Sequence, residues 1–142
     1  MTKPERAILL IEDSVSDVEL TRRALERARI GNPLVVAEDG EQALAYLAEA
    51  QRLPAVALLD LKLPRIPGLE VLRRIRADAR TRRLPVVILT SSREEHDLAT
   101  SYDLGVNSYI RKRSILSSLQ SASNNLGCIG WFSTNSPAVT DE

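Results

Sequence analysis

The chain has 142 residues, 44% hydrophobic and 27% charged, enough to bury one core as a single domain. Lysine plus arginine and aspartate plus glutamate balance at 19 each, so no net field draws the chain to nucleic acid or an anionic membrane surface. A single cysteine excludes an internal disulfide framework, no apolar run approaches a membrane helix, and the opening "MTKPERAILLIED" meets acid too soon for a signal peptide, so a cytoplasmic protein is expected.

Short aliphatic runs alternate with amphipathic ones. "AILLI" at 7–11 reads as a buried strand. "SDVELTRRALERARI" at 16–30 repeats apolar residues at Val18, Leu20, Ala24, Leu25 and Ala28, near helical spacing. Ser16 followed three residues later by Glu19 predicts a capping box, and Gly31 a helix stop. "NPLVVAED" predicts a second strand, and "GEQALAYLAEA" a helix with Ala43, Leu44, Leu47 and Ala48 inward. "PAVALLD" is continuously apolar, as a strand covered on both faces should be. "GLEVLRRIRA" places Leu69, Leu72 and Ile75 on one helical face. "LPVVILT" predicts a fourth strand, "REEHDLATSYDLG" a more polar helix closed by Gly105, and "NSYIRK" a fifth strand before a weak last helix.

Five strands alternating with helices predict an α/β fold: a doubly wound, flavodoxin-like parallel sheet in the order 2-1-3-4-5. Its functional crevice lies beyond the carboxyl ends of the strands. Strand one ends in Glu12 and Asp13, strand three in Asp60, strand four in Thr90 and strand five in Lys112. Three converging carboxylates repel unless a cation intervenes. Oxygen ligands without histidine or thiol suit Mg2+. With a hydroxyl and an ammonium beside them, the set fits transfer of an anionic group onto a carboxylate.

Together "LLIEDS", "ALLDLKLPRIPGLEVL", "PVVILTSS" and "SYIRK" resemble the receiver domain of two-component response regulators, over roughly residues 7–112. The resemblance implies that Asp60 is the phosphoacceptor, charged by a sensor histidine kinase. It implies Mg2+ held by Glu12, Asp13, Asp60 and the backbone carbonyl of Lys62. Thr90 and Tyr109 would form the switch, and Lys112 would pair with the phosphoryl oxygens. "ILLIEDSVSDVELTRRAL" and "IRADARTRRLPVV" look most like the single-domain regulators paired with bacterial phytochromes. That implies a phytochrome kinase as donor, and a homodimer through the fourth helix, fifth strand and C-terminal segment. No output domain is expected to follow, so the signal would leave through the surface, or the phosphoryl group would pass on in a relay or sink.

Other readings share parts of the pattern. Haloacid-dehalogenase-type phosphatases need a second acid two residues beyond the nucleophile, where Lys62 stands, and a cap. A flavodoxin-like electron carrier needs a Ser/Thr/Gly-rich phosphate loop after strand one. A degenerate receiver serving only as a binding module would not need the full Asp60, Thr90 and Lys112 set. Taken singly, Glu12 and Asp13 could cap a loop and Thr90 could be an ordinary strand residue. His96 and the arginines from Arg73 to Arg83 read as solvated, and Cys128 as inert.

The core is expected over residues 7–126, with 127–142 a C-terminal extension that either dimerises or is disordered. Receivers usually follow the site lysine with a proline whose preceding bond is cis, and here Arg113 stands instead. A cis bond there would cost about 2.5–4 kcal/mol. A trans bond is expected to leave Lys112 less well aimed. From Ser114 to Thr140 no Asp, Glu, Lys, Arg or His occurs, while Cys128, Trp131 and Phe132 all fall in this run. Synonymous codons for "RSILSSLQSASNNLGCIGWFSTN", read with one base added in front, spell PVDFEQLAERVKQLGLYWLVLN. That string restores the proline, the charge and an amphipathic helix. A compensated frameshift from Arg113 to near Pro137 is therefore one expectation. The tail as written, with Ile115, Leu116, Leu119, Ala122 and Leu126 on one helical face, is the other.

Overall fold

Each short aliphatic run forms a strand of one sheet. The computed structural model describes residues 6–100 and 105–124, without the side chains of Thr100 and 122–124. Leu126, Cys128, Trp131 and the extension from residue 127 lie outside the described residues, as does the side chain of Ala122. In chain order the elements are β1 (Ile8–Ile11), α1 (Val15–Arg27), β2 (Leu34–Ala37), α2 (Gly40–Glu49), β3 (Val56–Asp60) and α3 (Gly68–Ala77). Then follow β4 (Val86–Thr90), α4 (Arg93–Thr100), β5 (Ser108–Arg111), a 3-10 turn (Lys112–Ser114) and α5 (Ile115–Asn124).

The sheet is parallel throughout, in the order β2-β1-β3-β4-β5. Alternate strand residues feed two cores, one on each face. Leu9, Ile11, Leu59 and Ile88 pack against α2 and α3 residues such as Leu47, Leu72 and Ile75. Ile8, Leu10, Leu58 and Leu89 pack against Leu25 of α1 and against Ile115 and Leu119 of α5. Every residue of β1, β3 and β4 is buried, which accounts for their continuous apolar sequences. Register sets the strand ends: Ile11 pairs with Leu59, and Thr90 with Arg111. Glu12, Asp60, Thr90 and Lys112 are thereby brought to one edge of the sheet.

Helix α1 departs from its sequence reading at both ends. Its N-cap is Ser14, not Ser16: the Ser14 hydroxyl accepts the Asp17 backbone N–H at 3.3 Å. Its stop is Arg29 rather than Gly31. Arg29 takes φ 61, and the N–H groups of Arg29 and Ile30 donate to the carbonyls of Glu26 and Leu25. That is a Schellman closure, with Ile30 packing on the same core as Leu25. The phase also differs, because Leu20 is 43% exposed while Thr21 is 3% exposed. On α2, Ala48 faces solvent and Tyr46 is half-buried against the core. Gly105 takes the left-handed conformation, at φ 64, while the residues at 101–104 that would join it to the preceding helix lie outside the described residues.

Candidate functional site

Two of the three acids at the strand ends are deeply buried: Glu12 is 1% exposed and Asp60 2%. Carboxylate oxygens of Glu12, Asp13 and Asp60 all lie within 4.8 Å of one another. Lys112 reaches across from the end of β5. Its Nζ stands 2.8 Å from Glu12 Oε1, 3.3 Å from Asp60 Oδ2 and 2.8 Å from Asp17 Oδ2. A cavity of about 220 Å³ between α1 and β2 opens beside Glu12 and Asp13, over Val18 and Val36.

Backbone geometry presents Asp60. Its Oδ1 accepts the Lys62 N–H at 3.2 Å, which turns the carboxylate toward the following loop. Gly68, the first residue of α3, donates its N–H to the Leu61 carbonyl at 3.2 Å. A Cβ at Gly68 would stand 2.5 Å from the Asp60 carbonyl oxygen and 2.8 Å from Leu61 Cα, so only glycine permits this approach. The loop between is pinned by Arg65, which takes φ 66 and ion-pairs with buried Asp39 at 2.6 Å. Asp39 in turn caps α2 by accepting the Gln42 N–H. A strained backbone residue is thus held by a charge pair at the first turn of a neighbouring helix.

Burial raises Glu12 to about 7, only partly offset by Lys112, with Asp60 adding repulsion. Asp60 is raised for the same first reason, with Lys112 opposing. Burial alone would lower the Lys112 ammonium, but Asp17, Glu12 and Asp60 hold it above its ordinary range. The residues fit a hard divalent cation on one further ground: Glu12 Oε1 is buried, yet it accepts no hydrogen bond among the described residues. Its near partner is the Lys112 ammonium at 2.8 Å, which leaves lone pairs of this buried carboxylate oxygen free for a cation.

Thr90 is fully buried, and its Oγ1 lies 3.3 Å from His96 Nδ1 and 3.5 Å from the Ile110 carbonyl. The His96 ring also meets half-buried Tyr109 edge-on, with centroids 6.2 Å apart. His96 is therefore not the solvated side chain its polar helix suggested. Its direction is set by the start of α4, where Ser92 Oγ accepts the Glu95 N–H and Glu95 Oε1 accepts the Ser91 N–H. The following turn then lays His96 back over the end of β4.

The peptide after Lys112 is trans, as are all bonds among the described residues. With this trans bond, Nζ lies 2.8 Å from Glu12, 2.8 Å from Asp17 and 3.3 Å from Asp60. Asp17, which supplies the third contact, was not visible as a site residue in the sequence: 95 positions separate it from Lys112. Lys62 keeps its N–H on Asp60 and points its ammonium toward Glu95 at 3.6 Å. Of the arginines in 73–83, Arg73 and Arg74 pair with Glu70 on the surface. Arg76 and Arg80 instead clamp backbone carbonyls, Arg76 on Leu84 and Gly105, Arg80 on Leu47 and Ala50.

The family profile of the response regulator receiver domain matches residues 8–124. Response regulator Rcp1 of Synechocystis sp. is 40% identical over 116 residues, 78% of this chain and 79% of that protein. The solved Mn(2+)-bound form of Rcp1 superposes with a TM-score of 0.71 at 35% identity, over 85% of this chain and 94% of that one. The bacteriophytochrome response regulator AtBRR superposes with a TM-score of 0.75 at 45% identity, over 84% and 92% of the two chains. The phosphorylated cyanobacterial phytochrome response regulator RcpA gives 0.73 at 37% identity, over 94% and 99%.

Proposed function

The chain belongs to the response regulator receiver domain family, and from that membership we propose that it accepts a phosphoryl group onto Asp60 from a sensor histidine kinase, with Mg2+ as cofactor. The observation that carries this reading is the burial of Asp60 within 3.3 Å of the Lys112 ammonium and 4.8 Å of two further carboxylates.

A carboxylate oxygen of Asp60 attacks the phosphorus in line. The new O–P bond forms as the P–N bond to the donor imidazole breaks. The imidazole nitrogen keeps that electron pair and takes a proton from solvent. Asp60 is held for the attack by the Lys62 N–H and by the approach of Gly68. Lys112, fixed beside Asp60, pairs with an incoming phosphoryl oxygen. Glu12, Asp13, Asp60 and the Lys62 carbonyl would hold Mg2+, which when bound neutralises charge on the phosphoryl group. The Mn(2+)-bound form of Rcp1 supports a divalent ion here. Thr90 then turns its hydroxyl toward the phosphoryl group, and Tyr109 follows inward.

The names of AtBRR and RcpA support a phytochrome-linked kinase as donor. A cytoplasmic homodimer through α4, β5 and the C-terminal segment completes this reading. The test is incubation of the wild type and Asp60→Asn with acetyl phosphate and Mg2+, read by intact mass. A phosphoryl adduct on the wild type alone is expected, and its transfer from a phytochrome kinase in preference to other kinases. An unchanged wild-type mass would replace this reading by an unphosphorylated binding module.

A further inference from the structure

Thr90 and Tyr109 share one neighbour, the only histidine of the chain. His96 Nδ1 stands 3.3 Å from Thr90 Oγ1, and its ring lies edge-on to Tyr109 at an interplanar angle of 74°. The alternative partner of the Thr90 hydroxyl, the Ile110 carbonyl at 3.5 Å, is at the outer limit of a hydrogen bond. A threonine hydroxyl has one proton to donate. If that proton is committed to His96, it is not available to an oxygen bound at Asp60.

We propose that His96 is a positioning residue that tethers the Thr90 hydroxyl in the resting state and must release it when a phosphoryl group occupies Asp60. The tether works as a threshold: each phosphorylation event has to exchange a part-buried hydrogen bond to the imidazole for one to the phosphoryl oxygen. The same ring carries the change outward, because its edge contact holds Tyr109 while Thr90 is tethered. His96 sits four residues into α4, whose start is locked by the Ser92 and Glu95 caps, so the helix itself fixes the ring over the end of β4. This inference rests on the reading of Asp60 as acceptor and Thr90 as its switch.

As the chain holds a single imidazole, the wild-type protein reports on the tether directly. In 15N-resolved spectra of resting protein, the neutral ring should carry its proton on Nε2, leaving Nδ1 as acceptor for Thr90. Adding beryllofluoride with Mg2+, a mimic of the aspartyl phosphate, should move the Nδ1 resonance as that bond is lost. The Thr90→Ala variant should show the moved position from the start. In equilibrium titrations His96→Ala should bind beryllofluoride about two- to tenfold more tightly, the range of one net hydrogen bond. Its affinity for Mg2+ alone should be unchanged. His96→Asn, whose Oδ1 lies near the place of Nδ1, should return to the wild-type value. A ring that carries its proton on Nδ1, a resonance that stays put at saturation, or equal affinities for wild type and His96→Ala would overturn the role of His96 alone. If beryllofluoride and Mg2+ bind wild type no better than Asp60→Asn, the assignment of Asp60 fails and takes this inference with it.

Discussion

Lys112 Nζ lies 2.8 Å from Asp17 Oδ2, closer than the 3.3 Å that separates it from Asp60 Oδ2. The ammonium is thus shared between the first turn of α1 and Asp60. In the proposed phosphorylation, an incoming phosphoryl oxygen would compete with Asp17 for the same ammonium. The Asp17 side chain is 34% exposed, so solvent screens its part of the contact. Replacing it with alanine should lower unfolding stability by only about 1 kcal/mol. Phosphorylation of Asp17→Ala by acetyl phosphate should become faster, since the ammonium is released toward Asp60. A slower rate at unchanged stability would mean that Asp17 aims the lysine instead of competing for it.

Glu12 sets a pH dependence with a definite sign. Its folded value near 7 lies above its ordinary 4.5, so between these values the folded protein binds more protons than the unfolded chain. Stability from this group is fully present below about 4.5 and is lost as pH rises through about 7. Melting in EDTA should therefore show a midpoint that falls across this window, and Glu12→Gln should flatten the fall. At the proposed site Mg2+ would compete with the proton, so its affinity should rise over the same window and the added stabilisation should be largest above it. A melting profile in EDTA that rises through this range would rule out Glu12 as the dominant group.

Gly68 offers a purely steric test. A methyl group there meets the Asp60 carbonyl and Leu61 Cα, both backbone atoms that no rotamer change relieves. Gly68→Ala should cost about 1–3 kcal/mol in chemical denaturation, as overpacking does. It should also slow phosphorylation more than the lost stability explains, because the shift acts on Asp60. Unaltered kinetics in a folded Gly68→Ala protein would separate the helix start from the acceptor.

The tail carries the fourth prediction. The sequence as written and its frame-shifted counterpart differ in composition from Arg113 onward, and above all in charge. In the tail as written, Ile115 and Leu119 pack into the core beside α1, whereas the shifted string would put an aspartate at position 115. We expect intact mass and peptide mapping of protein expressed from the native gene to match the shifted string. A peptide containing Cys128 and Trp131 in the written order would refute the shift.

The acids and hydroxyl at the strand ends were legible because a parallel sheet gathers the carboxyl ends of its strands on one side. Glu12, Asp13, Asp60 and Thr90 stand at the ends of aliphatic runs and Lys112 follows the mixed "SYIR", and the strand order alone predicts their meeting. Helix phase was much less legible. One turn of α1 holds Leu20 in solvent and Thr21 in the core, because the helix face is chosen by the sheet it covers and not by hydropathy alone.

The sequence by itself determined the alternation of elements, the order of the sheet and the chemistry of the carboxylate cluster, since these follow from local periodicity and strand ends. Only the tertiary structure decided that Asp17 anchors Lys112, that Arg65 is pinned to Asp39, and that His96 holds Thr90 beside Tyr109. Those contacts join elements whose separation in the chain carries no periodic signal. They exist because helices pack at one particular rotation against the sheet, and that rotation is a property of the whole core.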